Sequence, residues 1–177
     1  MKKIRYAASL ITTGKDKNMD NYVFQLATYD DIPEITAIYQ RLIGTPGCTW
    51  SSDYPNEETA KEDIDNGWLY ITKKDGKIIG AVSAGNFDWF RDLQWKPKNP
   101  CDLARIGVTP AFQNQGIGTI MLQNIIKIMK SKGFDGIKLI VSKTNPAALT
   151  LYEKNGFERC GEIFMFDIDF YCYQIEF

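Results

Sequence analysis

The stretch from Leu103 to Ser142 constrains the fold more than any other part of the chain. An apolar run ends at Val108, and a turn carrying Gly116 and Gly118 follows. A helical pattern then spans Gly116–Lys132. Ile117, Ile120, Met121, Ile125, Ile128 and Met129 recur at the spacing of one helix face, and Gly133 sits just past the end. Ile137–Ser142 is a second apolar, β-branched run. Strand, long helix and strand in this order form a parallel crossover unit, whose helix must lie on the face of a sheet.

The flanking elements are of another kind. Tyr22–Ala27 reads as a short strand. Asp31 and Glu34 have capping-box spacing, and Ile32, Ile35, Tyr39 and Leu42 continue it as a helix. Glu57–Asp65 reads as an acidic helix with a thin apolar side, Ala60 and Ile64; its carboxylates, Asp63 among them, are expected to face solvent. Trp68–Thr72 and Lys77–Ala84 form a hairpin through Asp75-Gly76. Asn145–Asn155 is a short helix with Asn145 at the N-cap and Pro146 in the first turn; Phe157–Phe166 and Asp169–Phe177 close the chain as strands. The order β, α, α, β, β, β, α, β, α, β, β describes an α/β domain. Its mixed, mostly antiparallel sheet carries helices on its faces around one parallel pair. The 177 residues suit one domain, with residues 1–20 as a polar accessory arm and 21–177 as the domain proper.

Composition narrows the chemistry. There is no histidine, which removes Ser-His-Asp and Cys-His catalysis, histidine metal sites and an imidazole base. Proton transfer falls to Asp, Glu, Tyr, Lys, Cys or water. Cys48, Cys101, Cys160 and Cys172 form no CxxC pair, so they are expected to be free thiols, and no metal is expected. The net charge of −1 argues against a nucleic-acid platform. No run approaches the length of a membrane span, and Ile4–Ile11 is too polar for a signal peptide, so a cytoplasmic protein is expected.

Two constellations carry chemistry. In Val108–Thr119, Gly116 and Gly118 sit where a strand gives way to a long helix. The first N–H groups of a helix lack internal partners, and its dipole adds about half a positive charge there. Glycines allow close approach, so the turn is suited to a pyrophosphate. It is neither a Walker loop, lacking the Lys-Ser/Thr, nor a Rossmann fingerprint, having Met121 where the third glycine belongs. The competing reading is tight helix–strand packing. In Asn145–Phe157, Tyr152 lies two helical turns after Asn145 on the same face; the pair lines a groove, or Tyr152 is a core residue.

Together, Gln113-x-x-Gly116-x-Gly118 after a strand ending in valine, then Asn145-x-x-Ala148-x-x-Leu151-Tyr152-x-x-x-Gly156-Phe157, resemble the Gcn5-related N-acetyltransferases (GNAT). The resemblance implies the GNAT-type fold, with Leu103–Val108 splayed from Ile137–Ser142. It implies acetyl-CoA as co-substrate and a primary amine of a small molecule or peptide as acceptor. It implies backbone N–H groups of Gln113, Asn114, Gln115, Gly116, Ile117, Gly118 and Thr119 around the pyrophosphate, and Asn145 against the cofactor. It further implies the Ile106 amide on the thioester carbonyl, Val108 on the pantetheine, and Tyr152 as the acid for the leaving thiolate. Some members carry an acidic base eleven residues before the glutamine, which here is Asp102; a solvated strand-start charge is the alternative. Strand alternation puts Asp102, Ala104, Ile106 and Val108 on one face. The rival from another class is a module that binds acyl-CoA without catalysis.

The remaining signals are aromatic. Asn86–Trp95 offers either a wall for a cationic amine or a loop packed by its own rings, and Trp50 and Tyr54 either the opposite wall or an anchor for their loop. Phe164–Phe177 reads as a fully buried strand pair or as a homodimer contact.

Overall fold

The computed structural model describes residues 22–90 and 92–177, so the arm at 1–20 lies outside the described residues. Seven strands and four helices follow the expected order. They are β1 (Tyr22–Leu26), α1 (Ile32–Leu42), α2 (Glu57–Asp65), β2 (Leu69–Lys74), β3 (Lys77–Gly85), β4 (Pro100–Val108), α3 (Ile117–Ser131), β5 (Gly136–Ser142), α4 (Pro146–Lys154), β6 (Glu158–Met165) and β7 (Ile168–Glu176). The sheet order is β1-β2-β3-β4-β5-β7-β6, with β4–β5 its one parallel pair.

Two apolar layers sandwich the sheet. Ile35, Ile38, Tyr39 and Leu42 of α1 pack with Leu69, Ile71 and Ala81 on one face. Met121, Leu122, Ile125 and Met129 of α3 pack with Val82, Leu103, Ile137 and Leu139 on the other, where Tyr152 of α4 joins them. Leu69, Tyr70 and Ile71 alternate between the two layers, as a strand covered on both faces requires.

Three expectations need correction. Asp31 does not cap α1 through its side chain; its carboxylate turns back to accept from the Thr28 N–H and hydroxyl, at 2.8 and 2.9 Å, and pairs with Lys73 at 2.8 Å. Glu34, freed from that role, accepts the Ile78 N–H at 3.0 Å and ties α1 to β3. The last hairpin is not fully buried: β7 holds Phe170, Cys172 and Tyr173 in the interior, but β6 is an edge strand with Phe164 exposed, as is Phe166 in the turn. Asp63 is not solvated. It follows Ala60 by three residues on the inner side of α2 and is 2% exposed.

Candidate active site

The site begins with a fork. β4 and β5 pair only at Pro100–Gly136, Cys101–Ile137 and Asp102–Lys138; beyond that the strands separate, as the family resemblance implies. The separation opens a cleft of about 730 Å³, within the range of small-molecule sites.

At the cleft mouth the chain leaves β4 through a short turn at Pro110–Phe112 and enters α3. Asn114 and Gly116 are both left-handed, at φ +59° and +82°. Such left-handed residues curl successive N–H groups into a concave anion cradle. A Cβ on Gly116 would meet nothing within 4 Å, so this glycine serves backbone shape and access rather than packing. Gly118 is different. A Cβ there would stand 3.3 Å from Leu151, so it lets α3 approach α4. Packing thus accounts for Gly118, and it does not account for Gly116. The Gln113 N–H is already donated to Pro110 O at 3.2 Å, and its side-chain amide to Val108 O at 3.0 Å. The free arc of the turn therefore starts at Asn114.

Ile106, Val108, Gln113, Asn114, Gly116, Ile117, Gly118, Thr119, Asn145 and Tyr152 all line the cleft. Gln115 and Asp102 do not. Gln115 donates to Ala111 O at 2.9 Å within the turn. Asn145 accepts from the Ala148 N–H at 3.1 Å, as the N-cap should. Its backbone also closes against the α1–α2 loop, where a Cβ on Gly47 would fall 2.3 Å from the Asn145 Cα. Tyr152 is 4% exposed, beside Phe157 and Tyr173, and burial pushes its phenol above its ordinary value. It is both a core residue and a cleft residue.

Asp102 sits at the crotch of the fork, 3% exposed, 3.4 Å from the Lys138 ammonium and accepting the Phe87 N–H at 3.2 Å. Burial raises its carboxyl to about 6, against the pull of Lys138 and the Phe87 N–H. The expected strand alternation fails above it. Between Ala81 and Ser83 of β3 the ladder with β4 slips: Gly107 pairs with Ala81 and Ala104 with Ser83, so Arg105 and Ile106 together face Val82 alone. This bulge puts Arg105 at φ +51° and reverses the phase of β4. Lys138, opposite Asp102, lies on the face away from Ile137 and Leu139; Ile106 and Val108 pack against the α3 layer instead. Asp102 and Ile106 therefore lie on opposite faces.

Cys101 is fully buried, its thiol pushed up to about 12, first by burial and then by Asp102. The cysteine at the cleft is Cys48, from the α1–α2 loop, which sequence reasoning passed over. All four cysteines are free.

The largest unexpected feature is Arg105. It donates from Nε and Nη2 to the two oxygens of Asp63, at 2.9 and 2.7 Å, and from Nη1 to the Tyr54 hydroxyl at 2.8 Å. Ser83 Oγ donates to the same carboxylate at 2.6 Å. Burial raises the Asp63 carboxyl, and the guanidinium opposes it; the donors on both of its oxygens require the ionised form. The Phe87 and Trp89 rings lie 4.7 and 5.3 Å from the guanidinium carbon. The aromatic wall anticipated for a cationic amine is thus taken by the chain's own cation. Trp50 packs edge-on against Tyr39 at 5.3 Å and anchors its loop on the cleft rim.

Comparison with known proteins agrees with this geometry. The model of the acetyltransferase (GNAT) family matches residues 35–157, more than half of the chain. The chain belongs to that family. The N-alpha-acetyltransferase of Sulfolobus acidocaldarius is 29% identical over 150 residues, 82% of this chain and 84% of that protein. Other relatives match over less: the probable N-acetyltransferase camello of Xenopus tropicalis is 28% identical over 99 residues, 54% of this chain, and the chain spans 40% of its length. A GNAT acetyltransferase of Streptococcus agalactiae superposes with a TM-score of 0.77 at 21% identity, over 88% of this chain and 95% of that one. The yncA protein of Salmonella typhimurium, solved with acetyl-CoA, gives 0.72 at 18% identity, over 89% and 94%. At these identities the structures establish the fold. Among the described residues no cluster of metal-ligating side chains is found, and no helix is long and apolar enough to cross a membrane.

Proposed function

We propose that this chain transfers an acetyl group from acetyl-CoA to a primary amine of a small molecule or peptide by direct attack. The observation that carries the reading is the fork: β4 leaves β5 after three paired residues, and the cleft so formed ends at an exposed helix N-terminus with a left-handed cradle. The N–H groups of the turn from Asn114 and the first turn of α3 bind the pyrophosphate. The pantetheine runs between the separated strands past Val108. The thioester carbonyl accepts from the Ile106 amide, which stabilises the oxyanion, a device worth about 10²–10³ in rate.

The neutral amine attacks the carbonyl carbon. The tetrahedral intermediate collapses, the C–S bond breaks, and Tyr152 gives its proton to the departing sulfur. The phenol suits this role because burial keeps it protonated at neutral pH. The amine proton leaves through water toward Asp102, on the far face at the crotch of the fork. A buried, high-pKa Cys101 away from the cleft supports direct attack over an acyl-cysteine. The name of the Sulfolobus relative supports a peptide α-amine among the acceptors.

The test is acetyl-CoA consumption with four acceptor classes: polyamines, aminoglycosides, amino acids and peptide N-termini. Turnover with any class supports acetyl transfer. Saturable CoA binding without turnover across the panel would instead mark an acyl-CoA sensor.

A further inference from the structure

We propose that Arg105 and Asp63 are positioning residues for acetyl transfer: their buried ion pair clamps the β4 bulge in the left-handed conformation that turns Ile106 toward the cleft. The inference rests on the acetyl-transfer reading above.

The bulge decides which residues meet the acyl group. In a regular strand Ile106 would share a face with Asp102 and Ala104, away from α3. The extra residue moves Ile106 and Val108 to the α3 face and leaves Gly107 toward α1, where a Cβ would come within 2.7 Å of Leu42. Nothing in the backbone chemistry favours this arrangement. Left-handed geometry at a bulge is a glycine preference, yet the residue at φ +51° is an arginine, with Gly107 two positions later. A conformation so disfavoured persists only where its surroundings over-determine it.

The surroundings do so through the side chain. Both members of the pair are 3% exposed at their side chains, and Arg105 meets Asp63 with two parallel bonds. Tyr54 and Ser83 complete the network, and the Phe87 and Trp89 rings flank the guanidinium. A guanidinium held at Nε, Nη1 and Nη2 has few orientations left, and its Cα inherits that restriction. Replacing a buried pair with apolar residues is often neutral or stabilising, so such a pair is weak evidence of a stability role. Geometry is the stronger reason for it here. The pair also lies on the face opposite Ile106, so it acts through the backbone and is not itself catalytic.

The test compares Arg105→Gly/Asp63→Ser with Arg105→Ala/Asp63→Ser. Neither leaves a buried charge alone; they differ by one methyl group and by glycine's tolerance of the left-handed region. Three readouts are taken: acetyl-CoA affinity by calorimetry, kcat with an acceptor found active, and the infrared carbonyl frequency of bound ¹³C-acetyl-CoA. Both variants should bind acetyl-CoA with less than about tenfold loss, since the phosphate turn is untouched. The alanine form should lose about 10²-fold in kcat together with the carbonyl shift toward lower frequency, and the glycine form should keep most of both. A role in stability alone predicts that both variants, once folded and saturated with acetyl-CoA, keep the wild-type kcat and carbonyl frequency, because at a positive φ glycine is the less strained replacement and thermal stability would rank the two in the same order. If the alanine form does not fold, Arg105→Lys serves, since it keeps the charge but not the parallel bonds. Reduced kcat at unchanged affinity then supports the clamp, and wild-type kcat and carbonyl frequency overturn it. Equal glycine and alanine forms at full wild-type turnover overturn the clamp alone. A wild-type chain that neither binds nor turns over acetyl-CoA overturns the clamp and the acetyl-transfer reading together.

Discussion

Replacing Gly116 separates the charge of the proposed pyrophosphate site from its shape. The residue is the N-cap of α3 at φ +82°, and a Cβ there meets nothing within 4 Å. Asn and Asp are the side chains that best tolerate this region, and they are nearly isosteric. Gly116→Asn should therefore fold and bind CoA with modest loss. Gly116→Asp adds one negative charge. For a carboxylate about 5 Å from a phosphate on the first N–H groups, Coulomb's law gives about 0.8 kcal/mol per unit charge at the dielectric of water and about 3 kcal/mol at the value typical near a protein surface. The difference between the two variants should thus be about four- to 150-fold in CoA affinity.

Folding stability should move the other way or not at all. A carboxylate at a helix N-terminus gains about 0.3–1 kcal/mol from the dipole, which offsets the roughly 1 kcal/mol cost of the left-handed backbone. The measurements are calorimetric CoA titrations of both variants at low and high salt, with thermal unfolding of the free proteins. The gap between Asp and Asn should shrink as salt rises, because the site is open to solvent. Equal affinities at low salt would refute the pyrophosphate assignment, whatever the absolute values.

Tyr152→Phe keeps the ring against Phe157 and Tyr173 and removes only the hydroxyl, so CoA affinity and the unfolding midpoint should hold while kcat falls about 10²-fold; full kcat with chemistry rate-limiting would leave Tyr152 a packing residue. With Asp102 raised to about 6, a base role requires kcat/KM to rise as the pH passes upward through about 6, because only the ionised carboxylate accepts a proton. Asp102→Asn should remove that limb, and an unchanged profile would return Asp102 to a structural role with Lys138. Cys48 lines the cleft but has no part in direct attack, so Cys48→Ala should keep kcat within a few-fold; a burst of labelled acyl-enzyme in the wild type, lost in this variant, would replace direct attack with a covalent route.

The order of elements was legible because periodicity reports it locally. The long stripe of α3, the β-branched run of β5 and the Asp75-Gly76 turn each declare themselves within a few residues. The fork was not legible in the crossover, which requires only that β4 and β5 be parallel neighbours; it came with the family resemblance carried by Gln113–Gly118 and Asn145–Phe157. Asp63 and Arg105 were missed for the opposite reason. Each is a charged residue in a local pattern that reads as ordinary: Asp63 within an acidic helix, Arg105 within a strand otherwise apolar from Leu103 to Val108. The clue was joint. Asp63 is three residues from Ala60, on the thin apolar side of α2, so a charge there needs a partner, and Arg105 in a covered strand needs one of opposite sign. The partners lie 42 residues apart in sequence, beyond any local pattern. The aromatic stretch stayed open between two readings for the same reason: its rings do pack on one another, but the cation they serve comes from β4.

The bulge was illegible for a subtler reason, and that reason bears on function. Turn chemistry accounts for several left-handed residues that are not glycine: Asp75 before Gly76, and Phe166 with Asp167 at the last hairpin. Arg105 and Asn114 differ, because both line the cleft, one on each side of the β4 terminus. A sequence rule looks for glycine, and after it Asn or Asp, wherever the backbone turns left-handed. An arginine there marks a place where tertiary contacts override local preference, which is where sequence reading should fail and where a functional site is to be expected. At Asn114 the distortion curls the N–H groups that the acetyl-transfer reading assigns to the pyrophosphate. At Arg105 it swings Ile106 across the sheet. β4 and the turn that follows it thus carry one distortion each, and on the acetyl-transfer reading the residues from Ile106 to Asn114 set the distance between pyrophosphate and acyl group.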